Sequence, residues 1–253
     1  MVVKVDQLIK VYGKKNNSHY VLKNISFKIN KGEFVGIMGP SGAGKTTLLN
    51  ILATIDHATL GSVIINDKDV TKMTEKETSE FRRNELGFIF QNFNLLNTIS
   101  IKDNILLPLA IERIPIREME TRLTSVSKIL NLEEFLEKYP SDISVGQKQR
   151  ATAARAVITQ PSLVLADEPT GALDSKSAAE LLKYLSYLNE EKLTTIMMVT
   201  HDAFAASYCS RILFIKDGIL FSEINRSGSR REFFKKIMDM QTVIGGGVGN
   251  DVV

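Results

Sequence analysis

The chain carries one cysteine, Cys209, in 253 residues, and a single cysteine cannot close an internal disulfide. Nothing here points to an oxidising compartment, and Cys209 reads as a small apolar residue beside Tyr208. Long hydrophobic runs are missing as well: no stretch approaches the roughly 20 consecutive apolar residues of a bilayer crossing. The start, Met1-Val2-Val3-Lys4-Val5-Asp6, lacks the charged-then-apolar layout of a signal peptide, so the chain is expected to stay in the cytosol. A net charge of +3, with lysines and arginines interleaved among acids, is too small and dispersed for a nucleic-acid footprint. No nucleic-acid partner is expected. Internal repeats and long low-complexity tracts are also lacking. What remains, at 43% hydrophobic and 24% charged residues, is a chain able to build one large globular domain with room for a subdomain.

Apolar and β-branched runs predict strands near Val2 to Val11, Tyr20 to Ile29, Glu33 to Met38, Ser62 to Asn66 and Leu86 to Phe90. From Leu95 to about Gln160 the pattern turns helical, with mixed-charge faces over Ile111 to Leu123 and Thr124 to Tyr139, broken by Pro108, Pro115 and Pro140. That stretch, about 95–160, is expected to be an inserted helical lobe. Buried parallel strands return at Ser162 to Ala166 and Thr194 to Thr200, with a helix from about Ser175 to Glu191 between them. Asp217-Gly218 joins two further strands, Arg211 to Lys216 and Ile219 to Ile224, as an antiparallel hairpin. Residues 1–225 are thus expected to form the domain, and 226–253 a tail. The tail has a short helix with Phe233, Phe234, Ile237 and Met238 on one side, and a glycine-rich, mobile end.

Gly39-Pro40-Ser41-Gly42-Ala43-Gly44-Lys45-Thr46 fits the pattern GxxxxGK[ST], follows the apolar strand Phe34 to Met38 and opens the helical run Thr47 to Leu52. Glycines let consecutive N–H groups turn inward onto phosphate oxygens, and the helix that follows adds partial positive charge at its N-terminus. Lys45 is placed to reach the β and γ phosphates, and Thr46 to offer Mg²⁺ a hydroxyl oxygen. A glycine-rich turn with a surface lysine is the bland alternative, and the strand-to-helix context argues against it. A second apolar strand ends in Asp167-Glu168, which brings acids to the same sheet edge. Asp167 is placed to hold Mg²⁺ through water, and Glu168 to polarise a water for in-line attack on the γ phosphate. The fold class expected is α/β, a P-loop NTPase with an antiparallel β subdomain and an inserted helical subdomain.

Ile143-Ser144-Val145-Gly146-Gln147, just before that second strand, resembles the LSGGQ signature of ABC ATPase subunits. Other matches come in the family's order: Tyr12, the phosphate loop, Gln91 after a strand, Ala172-Leu173-Asp174 after the acids, and His201 after another strand. The resemblance covers nearly all of residues 1–225. It implies that Tyr12 stacks on adenine and that Gln91 contacts Mg²⁺ and the attacking water. It also implies that His201 touches the γ phosphate and helps hold that water with Glu168. Ser144, Gly146 and Gln147 would serve the ATP of a second copy in a head-to-tail homodimer with Asp174 at its seam. The sequence departs from the signature at Val145, where the family has glycine. Two outcomes stay open there: an ordinary negative φ with Cβ turned away, or poor closure of the dimer.

A narrower resemblance rests on Leu86 to Gln91, Asn104 to Leu109, Gly171 to Ser177, Ala205 to Cys209, and the tail from Phe233-Phe234 to Val243-Ile244-Gly245-Gly246. Together these look like the bacitracin- and antimicrobial-peptide-resistance subunits of Gram-positive bacteria. That resemblance implies an ATPase at the cytoplasmic face of the membrane, a separate transmembrane permease, and signalling to a sensor histidine kinase through it. A lipoprotein-release or cell-division machine, and a regulatory ATP-binding subunit of low turnover, are the competing readings.

Overall fold

In a computed structural model of the chain, residues 1–13 and 18–245 are described, and the glycine-rich end from Gly246 onward lies outside them. Alternating burial shapes the first layer. In Val3–Tyr12 (β1) the side chains of Val3, Val5, Leu8 and Lys10 turn inward, and β1 pairs antiparallel with His19–Ile29 (β2) in a register that sets Val5 opposite Phe27. With Leu60–Ile65 (β4) and Lys68–Asp69 (β5) they form a four-stranded sheet in the order β2-β1-β4-β5. A half-buried antiparallel sheet of this kind wants an apolar partner on one face.

That partner is a six-stranded sheet in the order β10-β9-β3-β8-β7-β6. Its strands are Phe34–Met38 (β3), Leu86–Ile89 (β6), Leu163–Asp167 (β7), Ile196–Val199 (β8), Arg211–Lys216 (β9) and Ile219–Asn225 (β10). All pairings are parallel except the closing β9–β10 hairpin. Every residue of β3 is buried, as a central parallel strand requires. Its side chains divide between two cores: Val35 and Ile37 face the antiparallel sheet and Lys45–Leu52 (α1), while Phe34 and Met38 face the helices of the other side. Burial here is the main stabilising term, at about 1.5–3 kcal/mol for each fully buried large apolar side chain. Cys209 packs on this layer too, with its sulfur over Gly36 of β3, and burial pushes its thiol well above its ordinary value. Among the described residues no helix is long and apolar enough to cross a membrane.

The helical region departs from the expectation in its boundaries. Glu75–Glu85 (α2) was not foreseen, although Thr74 and Glu77 make a reciprocal capping box at its start. Pro108 does not break the helix but sits inside Ile101–Ile111 (α3), because burial of Ile101, Ile105, Leu106 and Leu109 outweighs the lost backbone bond. The helix expected from Ile111 begins after Pro115, as Ile116–Ile129 (α4), and residues 130–139 contain only a short 3₁₀ turn rather than a continued helix. The helices Val145–Val157 (α5), Ser175–Lys192 (α6) and Ala203–Ala206 (α7) follow. α3, α4 and α5 share one core with α6, α7 and the sheet, so the lobe has no separate interior.

The tail helix, Arg230–Ile244 (α8), has 15 residues and starts at a capping box of Ser229 and Glu232. Its inward stripe is Phe233, Ile237 and Ile244, all buried, whereas Met238, expected on that side, is exposed.

Candidate active site

Three parallel strands end side by side, and each carries a candidate residue at its carboxyl end. The phosphate loop follows β3, His201 follows β8, and Asp167 ends β7 with Glu168 next after it. Ile37 is paired with Val199, and Val199 with Asp167, so the three ends are level. The edge beyond the carboxyl ends of parallel strands is where open α/β sheets bind ligands. A cavity of about 780 Å³ opens there, lined by Gly39, Ser41, Gly42, Gly44, Lys45, Thr46, Thr47, Asp167, Glu168 and His201, among others.

The loop needs its glycines for distinct reasons. At Gly39 an added Cβ would fall 2.0 Å from the carbonyl oxygen of Ile215, and Gly44, the N-cap of α1, has φ 100°. Ala43 is buried beneath the loop rather than on the cavity wall, and its N–H is bonded to the Pro40 carbonyl. Lys45 Nζ donates to the carbonyls of Gly39 and Pro40, both at 2.8 Å. Burial pulls this ammonium below its ordinary value, and Glu168 and Asp167 oppose that pull. Burial likewise raises the Asp167 carboxyl, Glu168 raises it further, and Lys45 works against both.

Glu168 has φ 45°, a left-handed conformation that a non-glycine residue adopts at a cost. Its N–H is held by the Val199 carbonyl at 2.9 Å, and its own carbonyl accepts from Gly171 at 3.0 Å. This kink aims the side chain along the sheet edge, where Oε1 lies 2.9 Å from His201 Nδ1. A carboxylate beside an imidazole, facing a basic phosphate loop, can hold a water and take its proton. Among the described residues, no group of three or more His, Cys, Asp or Glu side chains could hold a metal by itself. The oxygens of Thr46 and Asp167 fit a hard cation that takes its other ligands from phosphates and water.

Tyr12 and Gln91 stand outside this cavity. The Tyr12 phenol donates to Asp56 Oδ2, and Lys10 Nζ lies 4.5 Å from its ring centroid. Lys10, itself buried, donates to Asp56 Oδ1 at 2.5 Å and to the His57 carbonyl at 2.7 Å. Burial pushes the Asp56 carboxyl up, but hydrogen bonds from Lys10, Tyr12 and His57 together hold it below its ordinary value. Lys10 and Asp56 were not singled out in the sequence; a lysine in a strand gives no sign of its burial. Gln91 is exposed, with its side-chain amide beside Gly171. α5 holds the loop that Gln91 begins: Gln149 Nε2 donates to the Phe90 carbonyl, Thr152 Oγ1 to that of Phe93, and Arg155 to those of Phe93 and Asn94.

The signature residues are not on the cavity either. Ser144 is the N-cap of α5: its Oγ accepts from the Gln147 N–H, and Gln147 Oε1 accepts from the Ser144 N–H. Val145 opens the helix, 44% exposed, and Gly146 faces α6, where an added Cβ would lie 2.8 Å from Ser177 Oγ. Asp174 caps α6 through the N–H groups of Lys176 and Ser177.

Phosphate loop, paired acids and imidazole on one edge of a parallel sheet define a P-loop nucleoside triphosphatase. The chain matches the family described as ABC transporter over residues 22–171, and it belongs to that family. It is 52% identical to the bacitracin export ATP-binding protein BceA of Halalkalibacterium halodurans, over 99% of both chains. It is 51% identical to the ABC transporter ATP-binding protein YvcR of Bacillus subtilis, over 97% of this chain and 95% of that one. Among solved structures it resembles the dimeric ATP-binding cassette MJ0796 of Methanocaldococcus jannaschii in a post-hydrolysis state bound to ADP and Pi, with TM-score 0.81 and 38% identity. That likeness covers 90% of this chain and 100% of the other. The chain is an ATP-binding, ATP-hydrolysing ABC subunit.

Proposed function

We propose that this chain is the motor of a transporter that protects a cell against bacitracin-type or lantibiotic peptides. The observation that carries the reading is the gathering of Lys45, His201, Asp167 and Glu168 around one cavity, in a chain alike from end to end to a bacitracin export protein. ATP lies with its phosphates against residues 39–47 and its adenine on Tyr12. Glu168 is the base, accepting the proton of the attacking water, and His201 holds that water and the γ phosphate. Thr46 and Asp167 would hold Mg²⁺, which would supply positive charge to offset that of the phosphate oxygens. Gln91, outside the cavity and beside Gly171, acts as a sensor of occupancy.

The signature works in a second copy. Ser144, Gly146 and Gln147 stand away from the chain's own cavity, and the N-terminus of α5, with the Ser144 hydroxyl beside it, suits the γ phosphate of a facing copy. A homodimer with two ATP molecules at its seam follows, and the likeness to the cassette MJ0796, itself dimeric and bound to ADP and Pi, supports the pairing. A separate permease docks in a groove of about 560 Å³ between α2, α3 and α5, whose lining includes Phe88, Phe90, Asn94, Leu107 and Arg155. In this reading the dimer works at the cytoplasmic face of the membrane. A sensor histidine kinase is reached through the permease.

The test is genetic and biochemical. Loss of the chain should sensitise its host to bacitracin or a lantibiotic, wild type should restore resistance, and Glu168→Gln should fail to. Unchanged sensitivity to both peptide classes on loss of the chain would sink the resistance reading while leaving the ATPase intact.

A further inference from the structure

The C-terminal helix does more than cover the core, because its last turn reaches the nucleotide cavity. Gln241, Ile244 and Gly245 line that cavity beside the phosphate loop and the two acids. The helix is fixed at its other end: Phe233 and Ile237 are fully buried, and the Arg230 guanidinium lies 4.2 Å from the Tyr208 ring centroid. A rigid element anchored in the core thus delivers a polar side chain to the edge where hydrolysis occurs.

That side chain meets the segment carrying His201. The Thr200 N–H is held by the Ile37 carbonyl, and its hydroxyl accepts from Asp202. Asp202 in turn caps α7, against which α8 packs. Between these anchors the His201 side chain is 73% exposed, touching Glu168 through Nδ1. Its backbone carbonyl accepts from Gln241 Nε2 at 2.9 Å. A ring so exposed is not aimed by packing, so its direction depends on how its backbone is held. Small misplacements matter, since about 1 Å at a reacting centre can cost about 10²-fold in rate.

We propose that Gln241 is a positioning residue for ATP hydrolysis: through the His201 carbonyl it sets the imidazole against Glu168, and so makes α8 a wall of the active site. The proposal rests on the reading of His201 given above. Gln241→Met keeps the length and apolar stem of the side chain and removes the donor. Truncation of α8 is a poorer probe, because it would strip Phe233 and Ile237 from the core.

Turnover and ATP affinity are to be measured on the purified full-length chain for the parent, Gln241→Met, His201→Ala and the double variant, with labelled ATP to follow residual hydrolysis. Thermal unfolding reports on the fold. Gln241→Met should lower turnover about tenfold, with ATP Kd within about twofold of the parent and melting little changed, and should cost nothing further in the His201→Ala background. Parent turnover in Gln241→Met, beside a large loss in His201→Ala, would overturn the role of α8 alone. A loss that adds in full to that of His201→Ala would also overturn it, since Gln241 would then act by another route. If His201→Ala itself kept parent turnover, the assignment of His201 would fail first.

Discussion

Arg155 donates from Nη1 to the carbonyl of Asn94 at 2.6 Å and from Nη2 to that of Phe93 at 2.9 Å. The helix that starts with the signature therefore grips the loop that starts with Gln91. Thr152 and Gln149, one and two turns back on the same face, bind the Phe93 and Phe90 carbonyls, so three side chains form a ladder along α5. Phe93 and Asn94 are held in left-handed conformations, φ 60° and 50°, which the ladder helps to sustain. Arg155→Met removes two bonds made by a half-buried side chain and leaves the Asn94 carbonyl short of a partner. The expected loss is about 1–3 kcal/mol in urea unfolding, with faster amide exchange confined to residues 91–95. An unchanged midpoint would mean that the loop is held by something else.

Glu168→Gln keeps the shape of the side chain and removes its basicity. Turnover should fall by about 10² or more while ATP still binds, and gel filtration with Mg-ATP should show a persistent dimer. Lys45→Ala should differ in kind and weaken nucleotide binding itself, because the phosphates lose a charge-assisted donor. Parent turnover in Glu168→Gln would remove this residue from the chemistry.

Asp167 is raised in the folded chain by burial and by Glu168, against the pull of Lys45. For an acid whose folded value lies above its unfolded one, folding takes up a proton in the window between the two values. The nucleotide-free chain is therefore favoured by this group on the acid side, and that contribution is lost as pH rises through the folded value. Asp167→Asn should raise the melting temperature of the nucleotide-free protein at neutral pH, flatten its fall across that window, and abolish hydrolysis. A lower melting temperature at neutral pH would contradict the burial argument.

Val145 has the ordinary helical backbone that the milder of its two outcomes requires. It is the first residue of α5, and its side chain is exposed. Glycine freedom is not used at this position. Val145→Gly should raise turnover or ATP-driven dimerisation at most modestly, about threefold or less, and leave ATP binding to the monomer unchanged. Gly146→Ala should be far more harmful, because its Cβ would press on Ser177 at the start of α6. Altered monomer affinity in Val145→Gly would argue against the signature serving a second copy.

Asp56 holds both Tyr12 and Lys10, and Lys10 occupies one face of the Tyr12 ring. In the proposed site a base would take the other face. Asp56→Ala should weaken ATP binding several-fold, since a cation–π and hydrogen-bonded platform is worth about 1 kcal/mol. Binding of inorganic tripolyphosphate should not change. Equal losses for both ligands in isothermal titration would mean a general disturbance of the fold.

The sequence was most informative where backbone and side-chain chemistry coincide. Gly39 to Thr46, Asp167-Glu168 and His201 each follow a strand, and the order of strands in a parallel sheet brings their ends together. Helix limits were harder to read: Pro108 is overruled by the burial of its neighbours, and α2 has too few apolar residues for periodicity to reveal it, although its capping box was there to be found. The carbonyl contacts of Arg155 and Gln241 had no signal of their own, because a backbone oxygen accepts equally from any sequence. Lys10 shows the same limit, since its burial depends on Asp56, a residue 46 positions away.

Cys209, sealed over Gly36 with its thiol held protonated by burial, is out of reach of alkylating reagents in the folded chain, and there is no tryptophan in the sequence. The protein is thus a ready blank for labelling. A cysteine introduced at Ser41 together with one at Val145 would be the only thiols open to a bifunctional crosslinker, and the copies they join would report the head-to-tail order directly. A tryptophan at Tyr12 would fluoresce without background and time the arrival of each nucleotide.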